Sequence, residues 1–248
     1  MIHTVLLDIE GTTCPVSFVS QTLFPYSRQR LKATLAMGQH TPSIGAVIDE
    51  AMKEWANDSD PISQAMLSEA KKRSASAHDL EKYLQHLINT DRKSTALKEL
   101  QGIIWEQGYK SGELKSPLFK DVGPQLKAWK QQNLTLAVYS SGSVHAQKLL
   151  YAHTAEGDLT GLFSAWFDTR TGPKLCHRSY ESIATALTAN ADEILFVSDH
   201  PGECDAAKQA GMQAVFCLRP DNPHQEPGEH PIARQLADIQ SLDIMPSP

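Results

Sequence analysis

The sequence predicts an α/β protein with a doubly wound parallel sheet and a helical region inserted after the first strand. Short apolar runs alternate with helical patterns from about residue 121 to 217, which is typical of parallel βαβ units. A further apolar run, residues 5–7, precedes them by more than a hundred residues. Between about residues 17 and 115 we find helical patterns and no convincing strand. We therefore expect an α/β core at 1–16 and 116–248 and a helical cap at 17–115.

The helical region begins with a stretch of mixed helical character, residues 17–36, and continues with three apolar stripes of helical spacing. Their members are Ile44, Val47, Ile48, Ala51, Met52 and Trp55; Leu80, Tyr83, Leu84, Leu87 and Ile88; and Leu97, Leu100 and Ile104. An insert that follows the first strand would sit above the carboxyl ends of the strands and cover them as a lid.

The second half of the chain supplies the remaining elements of the core. We predict strands at 134–139, 166–167, 194–198 and 214–217, and helices from about 144 to 153, 179 to 189 and 203 to 210. Asp121 is expected to cap a helix that runs to about Gln132, with Pro124 in its first turn. The segment 221–231, rich in Pro, His and Glu, is expected to be a surface loop.

Composition excludes several classes of function. A formal net charge of −6, with no basic cluster longer than residues 71–73, argues against a nucleic-acid surface. The four cysteines show no C-x-x-C spacing, and the ten histidines form no H-E-x-x-H motif, so a zinc site is not indicated. With no signal peptide and no apolar run near 18 residues, we expect a cytoplasmic protein that does not contact membranes.

Two acids follow the first strand. Asp8 and Glu10 project to the same side because side chains i and i+2 of a strand do so, and Gly11 allows a sharp turn. Open α/β sheets bind their ligands at the carboxyl ends of strands. The pair is therefore a candidate for phosphoryl or acyl chemistry around a hard metal ion, although by itself it is more often the entry of a solvated loop.

Small hydroxyl residues end the second predicted strand. Ser140, Ser141 and Gly142 precede a helix, where hydroxyls and backbone N–H groups form anion sites. The same serines also suit a helix cap. Lys174, in the loop after the third strand, would bridge a phosphate and a carboxylate nucleophile, or else be a surface lysine.

Two more acids follow the fourth predicted strand. Asp199 lies at the strand end and Glu203 at the start of the next helix. Carboxylates there suit Mg²⁺, although Glu203 is also explained as a first-turn acid favoured by the helix dipole. We expect His200 to be a loop residue rather than a ligand. All four signals fall at carboxyl ends of predicted strands, which favours one joint site.

The ordered set of these residues resembles the four motifs of the haloacid-dehalogenase superfamily. Residues 8–13, Asp-Ile-Glu-Gly-Thr-Thr, carry Glu where most phosphatases of that superfamily have Asp, and they resemble the enolase-phosphatases of methionine salvage. The segments 138–143, 172–174 with Tyr180, 163–168 and 116–119 are similar to that family too. The resemblance spans nearly the whole chain and is weakest across about residues 35–95.

The resemblance implies a Rossmann-like core and a bifunctional reaction on 2,3-diketo-5-methylthiopentyl-1-phosphate. The enzyme would enolise the diketone and then release phosphate to give the acireductone, 1,2-dihydroxy-3-keto-5-methylthiopentene, with one Mg²⁺ ion per chain. We expect a monomer whose partner is this small phosphorylated substrate.

A mechanism can be assigned to the residues as a hypothesis. Asp8 would be the nucleophile, Glu10 the proton carrier and Lys174 the phosphate-binding cation. Ser140, Ser141 and Gly142 would hold the phosphoryl oxygens. Magnesium would be bound by the carboxylates of Asp8 and Asp199 and the backbone carbonyl of Glu10, with Glu203 orienting the shell.

Three alternatives remain open at this point. A general phosphatase for sugar phosphates or nucleotides would use the same site, and the insert would decide the substrate. A dehalogenase is less well supported, because Gly11 with Asp199 and Glu203 suits a metal-dependent phosphoryl site. A non-catalytic binder of phosphorylated ligands would be expected to have lost part of the site.

Overall fold

The computed structural model describes residues 1–74, 76–90, 92 and 94–242. Its strands are β1 (Thr4–Leu7), β2 (Thr135–Tyr139), β3 (Ala165–Phe167), β4 (Ile194–Ser198), β5 (Gln213–Cys217) and β6 (Ile232–Ala233). Its α-helices are α1 (Val16–Phe18), α2 (Phe24–Met37), α3 (Pro42–Asn57), α4 (Pro61–Lys71), α5 (Ala77–Asn89), α6 (Thr95–Lys110), α7 (Val122–Gln131), α8 (Val144–Ala152), α9 (His177–Leu187) and α10 (Pro201–Gln209). A π-helical segment, Val19–Leu23, joins α1 to α2.

The six strands form one sheet in the order β3-β2-β1-β4-β5-β6, and every neighbouring pair is parallel. Strand β1 is central and entirely buried, which explains its continuous apolar run. Because β1 pairs with β2 on one side and β4 on the other, the chain reverses direction across the sheet at β1. The carboxyl ends of β1 and β4 therefore border the crevice in which doubly wound sheets bind ligands. The predicted fold class is confirmed.

The chain divides into two compact units. One comprises Met1–Val19 with Lys115–Pro248, and the other comprises Ser20–Leu114. The second unit is helical, and the apolar stripes of α3, α5 and α6 meet in its core. There Trp55 stacks on Tyr83 with ring centroids 4.9 Å apart, and the Trp55 indole donates a hydrogen bond to the Ser63 carbonyl.

Several element bounds differ from the sequence predictions. Helix α4 and the two-residue strand β6 carry no periodic signal long enough to be recognised. Helix α10 begins at Pro201 rather than Glu203, since proline suits a first helical position. Among the described residues of 17–115 there is no strand, as expected.

Asp121 lies at the start of α7, as predicted, but its side chain is bound elsewhere. Asp121 occupies the N-cap position but makes no capping hydrogen bond with its side chain. Its carboxylate instead accepts from Arg219 at 3.0 and 2.9 Å and from the backbone N–H of Leu236 at 2.8 Å. A bidentate hydrogen bond to a charged guanidinium is stronger than one to a backbone amide. The Asp121 carboxylate therefore pairs with Arg219 instead of capping the helix.

Candidate active site

The predicted residues lie at neighbouring strand ends of the α/β unit. Asp8 follows β1 directly, Ser140 follows β2 and Asp199 follows β4. The backbone N–H of Asp8 still donates to the Val197 carbonyl at 3.0 Å, so the strand pairing aligns Asp8 with the end of β4. Asp8, Ser140 and Asp199 are all buried. The sheet thus presents polar groups at its switch point from three adjacent strands.

Lys174 is the centre of the site. Its ammonium lies 2.5 Å from Oδ1 of Asp8 and 2.6 Å from Oε2 of Glu203. The side chain of Lys174 is only 11% exposed, which is low enough to strengthen both charge-assisted contacts. Glu203 also accepts a hydrogen bond from the Ser198 hydroxyl at 2.8 Å. The structure therefore brings three of the predicted residues into direct contact.

Two tyrosines and a serine hold the loop that carries Lys174. The Tyr180 hydroxyl donates to the Lys174 carbonyl at 2.8 Å, and the Tyr139 hydroxyl donates to the Gly172 carbonyl at 2.9 Å. The Ser179 hydroxyl donates to the next carbonyl, that of residue 173, at 2.8 Å. Sequence reasoning noted Tyr180 only as part of a family resemblance and missed this function. A polar tip on a buried aromatic was the signal available.

Gly11 is required by close packing against Asp199. Its φ of +74° lies in the left-handed region, and a Cβ at this position would collide with the Asp199 carboxylate. The turn after Asp8 is therefore in van der Waals contact with Asp199, the acid that follows β4.

The site holds an excess of negative charge. Burial raises the pKa of Asp8 to about 6, although Lys174 opposes the rise. Burial, together with the charges of Asp8 and Glu203, raises the pKa of Asp199 to about 8. Burial alone would lower the pKa of Lys174, but Asp8 and Glu203 raise it well above its usual range. The Lys174 ammonium thus pairs with Asp8 and Glu203, and its charge also opposes the rise in the pKa of Asp199.

The ligands predicted for Mg²⁺ are the carboxylates of Asp8 and Asp199 and the backbone carbonyl of Glu10. Within the described part of the chain, no three side chains of His, Cys, Asp or Glu converge on a single point. Two carboxylates and a backbone carbonyl suit Mg²⁺ because this ion usually retains several waters and binds few protein ligands. A doubly charged ion next to Asp8 and Asp199 would also lower their pKa values, which burial and, to a lesser extent, neighbouring carboxylates raise.

The serines after β2 differ in their contacts and exposure. Ser143 caps α8, since its hydroxyl accepts from the Ala146 N–H at 3.3 Å. Ser140 is buried and its hydroxyl accepts from the Gly142 N–H at 3.4 Å, whereas Ser141 is exposed. The helix cap is therefore made by Ser143, and the phosphate-binding assignment of Ser140, Ser141 and Gly142 stays a prediction.

Glu10 and His200 complete the surroundings. Glu10 is half-buried, and its backbone is paired with that of Cys14. His200 is the N-cap of α10, where its Nδ1 accepts from the Gly202 N–H at 3.1 Å. Burial lowers the pKa of His200. Nδ1 is therefore unprotonated, and the ring has a structural function at the helix end.

Comparison with known proteins decides the family. The family model of the haloacid dehalogenase-like hydrolases matches residues 2–211. The enolase-phosphatase E1 of Synechococcus sp. (strain WH7803) is 56% identical over 241 residues, which are 97% of this chain and all of that protein. The chain belongs to the enolase-phosphatase family of haloacid dehalogenase-like hydrolases. The family resemblance predicted from the motifs is confirmed.

Other proteins extend the same comparison. The enolase-phosphatase E1 of Prochlorococcus marinus (strain MIT 9313) is 50% identical over 243 residues and is covered to 98%, as is this chain. The structure of the UTR4 protein from Saccharomyces cerevisiae is 31% identical with a TM-score of 0.72, and the match covers 95% of this chain and 98% of that chain. L-2-haloacid dehalogenase from Xanthobacter autotrophicus is 18% identical with a TM-score of 0.55 over 98% of both chains, which shows the shared fold alone.

The structure also bears on membranes in one respect. Among the described residues, no helix combines the length and apolar character that crossing a bilayer needs.

Proposed function

We propose that this protein is the enolase-phosphatase of methionine salvage. It converts 2,3-diketo-5-methylthiopentyl-1-phosphate to the acireductone and inorganic phosphate. The observation that carries the proposal is Lys174, buried between Asp8 and Glu203 at the switch point of the sheet. It occurs in a chain that is 56% identical, over nearly its full length, to an enolase-phosphatase.

In the phosphatase step, the Asp8 carboxylate attacks phosphorus in line and forms an aspartyl phosphate. The bond between phosphorus and the substrate's bridging oxygen breaks, and Glu10 protonates that oxygen. Lys174 keeps the two anions together by pairing with both Asp8 and a phosphoryl oxygen. Glu10 then takes a proton from the water that hydrolyses the aspartyl phosphate.

Ser140, Ser141 and Gly142 hold the remaining phosphoryl oxygens. The burial of Ser140 at the end of β2 favours a fixed hydroxyl at this position. Glu203, held between Ser198 and Lys174, keeps the lysine directed at Asp8.

Magnesium would be held by the carboxylates of Asp8 and Asp199 and the backbone carbonyl of Glu10. When bound, it supplies a positive charge that stabilises the phosphoryl transition state and polarises a substrate carbonyl.

Enolisation needs a base for the proton on the carbon next to a carbonyl. We assign this base to Glu10, whose extra methylene reaches further than the aspartate found in most phosphatases of the superfamily. The electron pair of the broken C–H bond forms the carbon–carbon double bond, and the carbonyl pair moves to oxygen, which takes a proton from solvent water. Glu10 keeps the proton from carbon and can then donate it to the leaving oxygen of the phosphatase step. We further propose that the helical region 17–115 serves as the cap that selects the non-phosphate part of the substrate.

The decisive experiment supplies the diketone phosphate with Mg²⁺ and follows enol absorbance and phosphate release in one reaction. We expect enol to appear before phosphate in the wild-type protein. A parallel panel of sugar phosphates and nucleotides should be hydrolysed far more slowly. Phosphate without an enol phase, with broad activity on the panel, would instead favour a general phosphatase.

A further inference from the structure

The turn that follows the nucleophile is held from outside by side chains late in the chain. We call residues 9–14 the Gly11 turn. It is closed by a hydrogen bond from the Gly11 N–H to the Cys14 carbonyl at 2.7 Å. The Asn222 amide donates to the Gly11 carbonyl at 2.8 Å, and the Arg219 guanidinium donates to the Thr12 carbonyl at 3.3 and 3.0 Å.

The next carbonyl is held as well. The backbone N–H of Phe119 donates to the Thr13 carbonyl at 3.1 Å. The phenyl ring of Phe119 also supports Arg219, whose guanidinium carbon lies 4.3 Å from the ring centroid. Three consecutive carbonyls of one turn therefore each accept a donor that lies more than a hundred residues away in sequence.

Arg219 restrains the Gly11 turn without adding net charge to its surroundings. Arg219 is 4% exposed, and its guanidinium forms a bidentate pair with Asp121 while a further N–H donates to the Arg234 carbonyl at 2.8 Å. A planar fork that is fully occupied in this way has little freedom to move. The paired carboxylate neutralises the cation, so Arg219 anchors the turn mechanically and not through its charge.

We propose that Arg219 and Asn222, the turn-anchoring pair, are positioning residues for catalysis. The inference rests on the proposed function, because the turn directly follows the nucleophile Asp8 and contains the proton carrier Glu10. Gly11 in turn lies against the Asp199 carboxylate. A shift of the Gly11 turn would therefore displace the acids after both β1 and β4, and a displacement of about 1 Å at a reacting group can cost on the order of 10²-fold in rate.

Asn222 offers the first test, because its replacement leaves the buried Arg219–Asp121 pair intact. In Asn222→Ala we expect kcat for the diketone phosphate to fall about 10–100-fold, while KM changes less than about threefold. Asn222→Asp keeps the side-chain volume but directs a carboxylate oxygen at the Gly11 carbonyl. If the amide anchors the turn, Asn222→Asp should lose more activity than Asn222→Ala. If Asn222 merely fills space, Asn222→Asp should lose less activity than Asn222→Ala, and that result would overturn the proposal.

The position of the turn can be measured without turnover. Hydrogen–deuterium exchange of a peptide covering residues 9–14 should be at least about tenfold faster in Asn222→Ala than in wild type. A peptide covering β4 should exchange unchanged in both, which excludes general destabilisation. Asn57→Asp makes the same chemical change at an exposed amide in the helical unit, and it should alter neither kcat nor exchange at residues 9–14.

Arg219→Lys provides an independent second variant. Lysine keeps the charge opposite Asp121, but one ammonium cannot replace the fork that reaches the Thr12 carbonyl, Asp121 and Arg234 together. We expect a lower kcat and faster exchange in the 9–14 peptide here too. Unchanged exchange of that peptide in both Asn222→Ala and Arg219→Lys would refute the anchoring, even if the wild type proves to be an enolase-phosphatase. A wild type that lacks this activity but shows the exchange changes would refute the proposed function alone.

Discussion

Replacing Lys174 by methionine removes an ammonium that contacts both Asp8 and Glu203. The two N–O distances, 2.5 and 2.6 Å, and the 11% exposure of the lysine side chain mark both contacts as charge-assisted and largely shielded from water. Methionine has nearly the same length and keeps the packing. The substitution therefore tests the charge rather than the shape of the side chain.

The size of the effect follows from the loss of this positively charged donor. Losing one pre-positioned donor at a developing negative charge costs about 10²–10³-fold in rate, and we propose that Lys174 acts on both the nucleophile and the phosphoryl group. We therefore expect kcat to fall by about 10³-fold, which corresponds to about 4 kcal/mol.

Stability should fall less than activity. Removing one partner of a buried ion pair costs about 3–5 kcal/mol when the other charge stays uncompensated. Here Asp8, with a pKa already raised to about 6, can take up a proton once Lys174 no longer lowers that pKa. The raised pKa of Lys174 means that its own stabilising contribution is fully present at neutral pH and is lost only at alkaline pH. Proton uptake by Asp8 should limit the loss at pH 7 to about 1–3 kcal/mol.

The assay combines steady-state kinetics on the diketone phosphate with urea unfolding at pH 7. Lys208→Met is the matched control, because Lys208 is exposed on α10, the helix that also carries Glu203. The control should match wild type in both measurements. A kcat for Lys174→Met within about fivefold of wild type, in a variant that unfolds normally, would refute the role of Lys174 as the bridging cation.

Four further predictions follow from the site and from the helical unit. Asp8→Asn should abolish phosphate release and leave the urea midpoint near wild type; turnover near the wild-type rate would contradict the nucleophile assignment. Glu10→Asp should slow enolisation by about 10–100-fold, because the shorter side chain misplaces the base; full rates in both half-reactions would remove Glu10 from that role. Chelation with EDTA should eliminate phosphate release, and added Mg²⁺ should restore it whereas Ca²⁺, which is larger and prefers more ligands, should restore little; activity unaffected by EDTA would exclude a metal-dependent site. In the helical unit, hydrogen bonds from Arg92 at 2.9 and 2.6 Å hold the pKa of Asp58 well below its usual range. The stabilisation is therefore present at neutral pH and is lost as the pH falls below about 4, so Asp58→Asn should lower the free energy of unfolding by about 1–2 kcal/mol at pH 7 and by less at pH 3. An equal difference at both pH values would contradict that origin.

Local patterns in the sequence were sufficient where the physical cause is itself local. The apolar runs that became β1, β2, β4 and β5 are buried on both faces, so their residues carry the signal directly. Asp8 and Asp199 each follow one of these apolar runs, so the sequence predicts them at strand ends. Because a parallel sheet has all its carboxyl ends at one edge, the sequence also predicts that the two acids lie at the same edge. The resemblance to a family came from the same short segments.

The sequence by itself therefore determined the fold class, the family and the residue types of the site. Only the tertiary structure decided which residues these side chains contact. Nothing near Asp121 in the sequence shows that Arg219, 98 residues away, takes its carboxylate from the helix end. The contact of Lys174 with both Asp8 and Glu203 and the hold of Asn222 on Gly11 are likewise long-range. Such contacts depend on the geometry of the folded chain, and a single side chain that donates one hydrogen bond leaves no periodic pattern for the sequence to reveal.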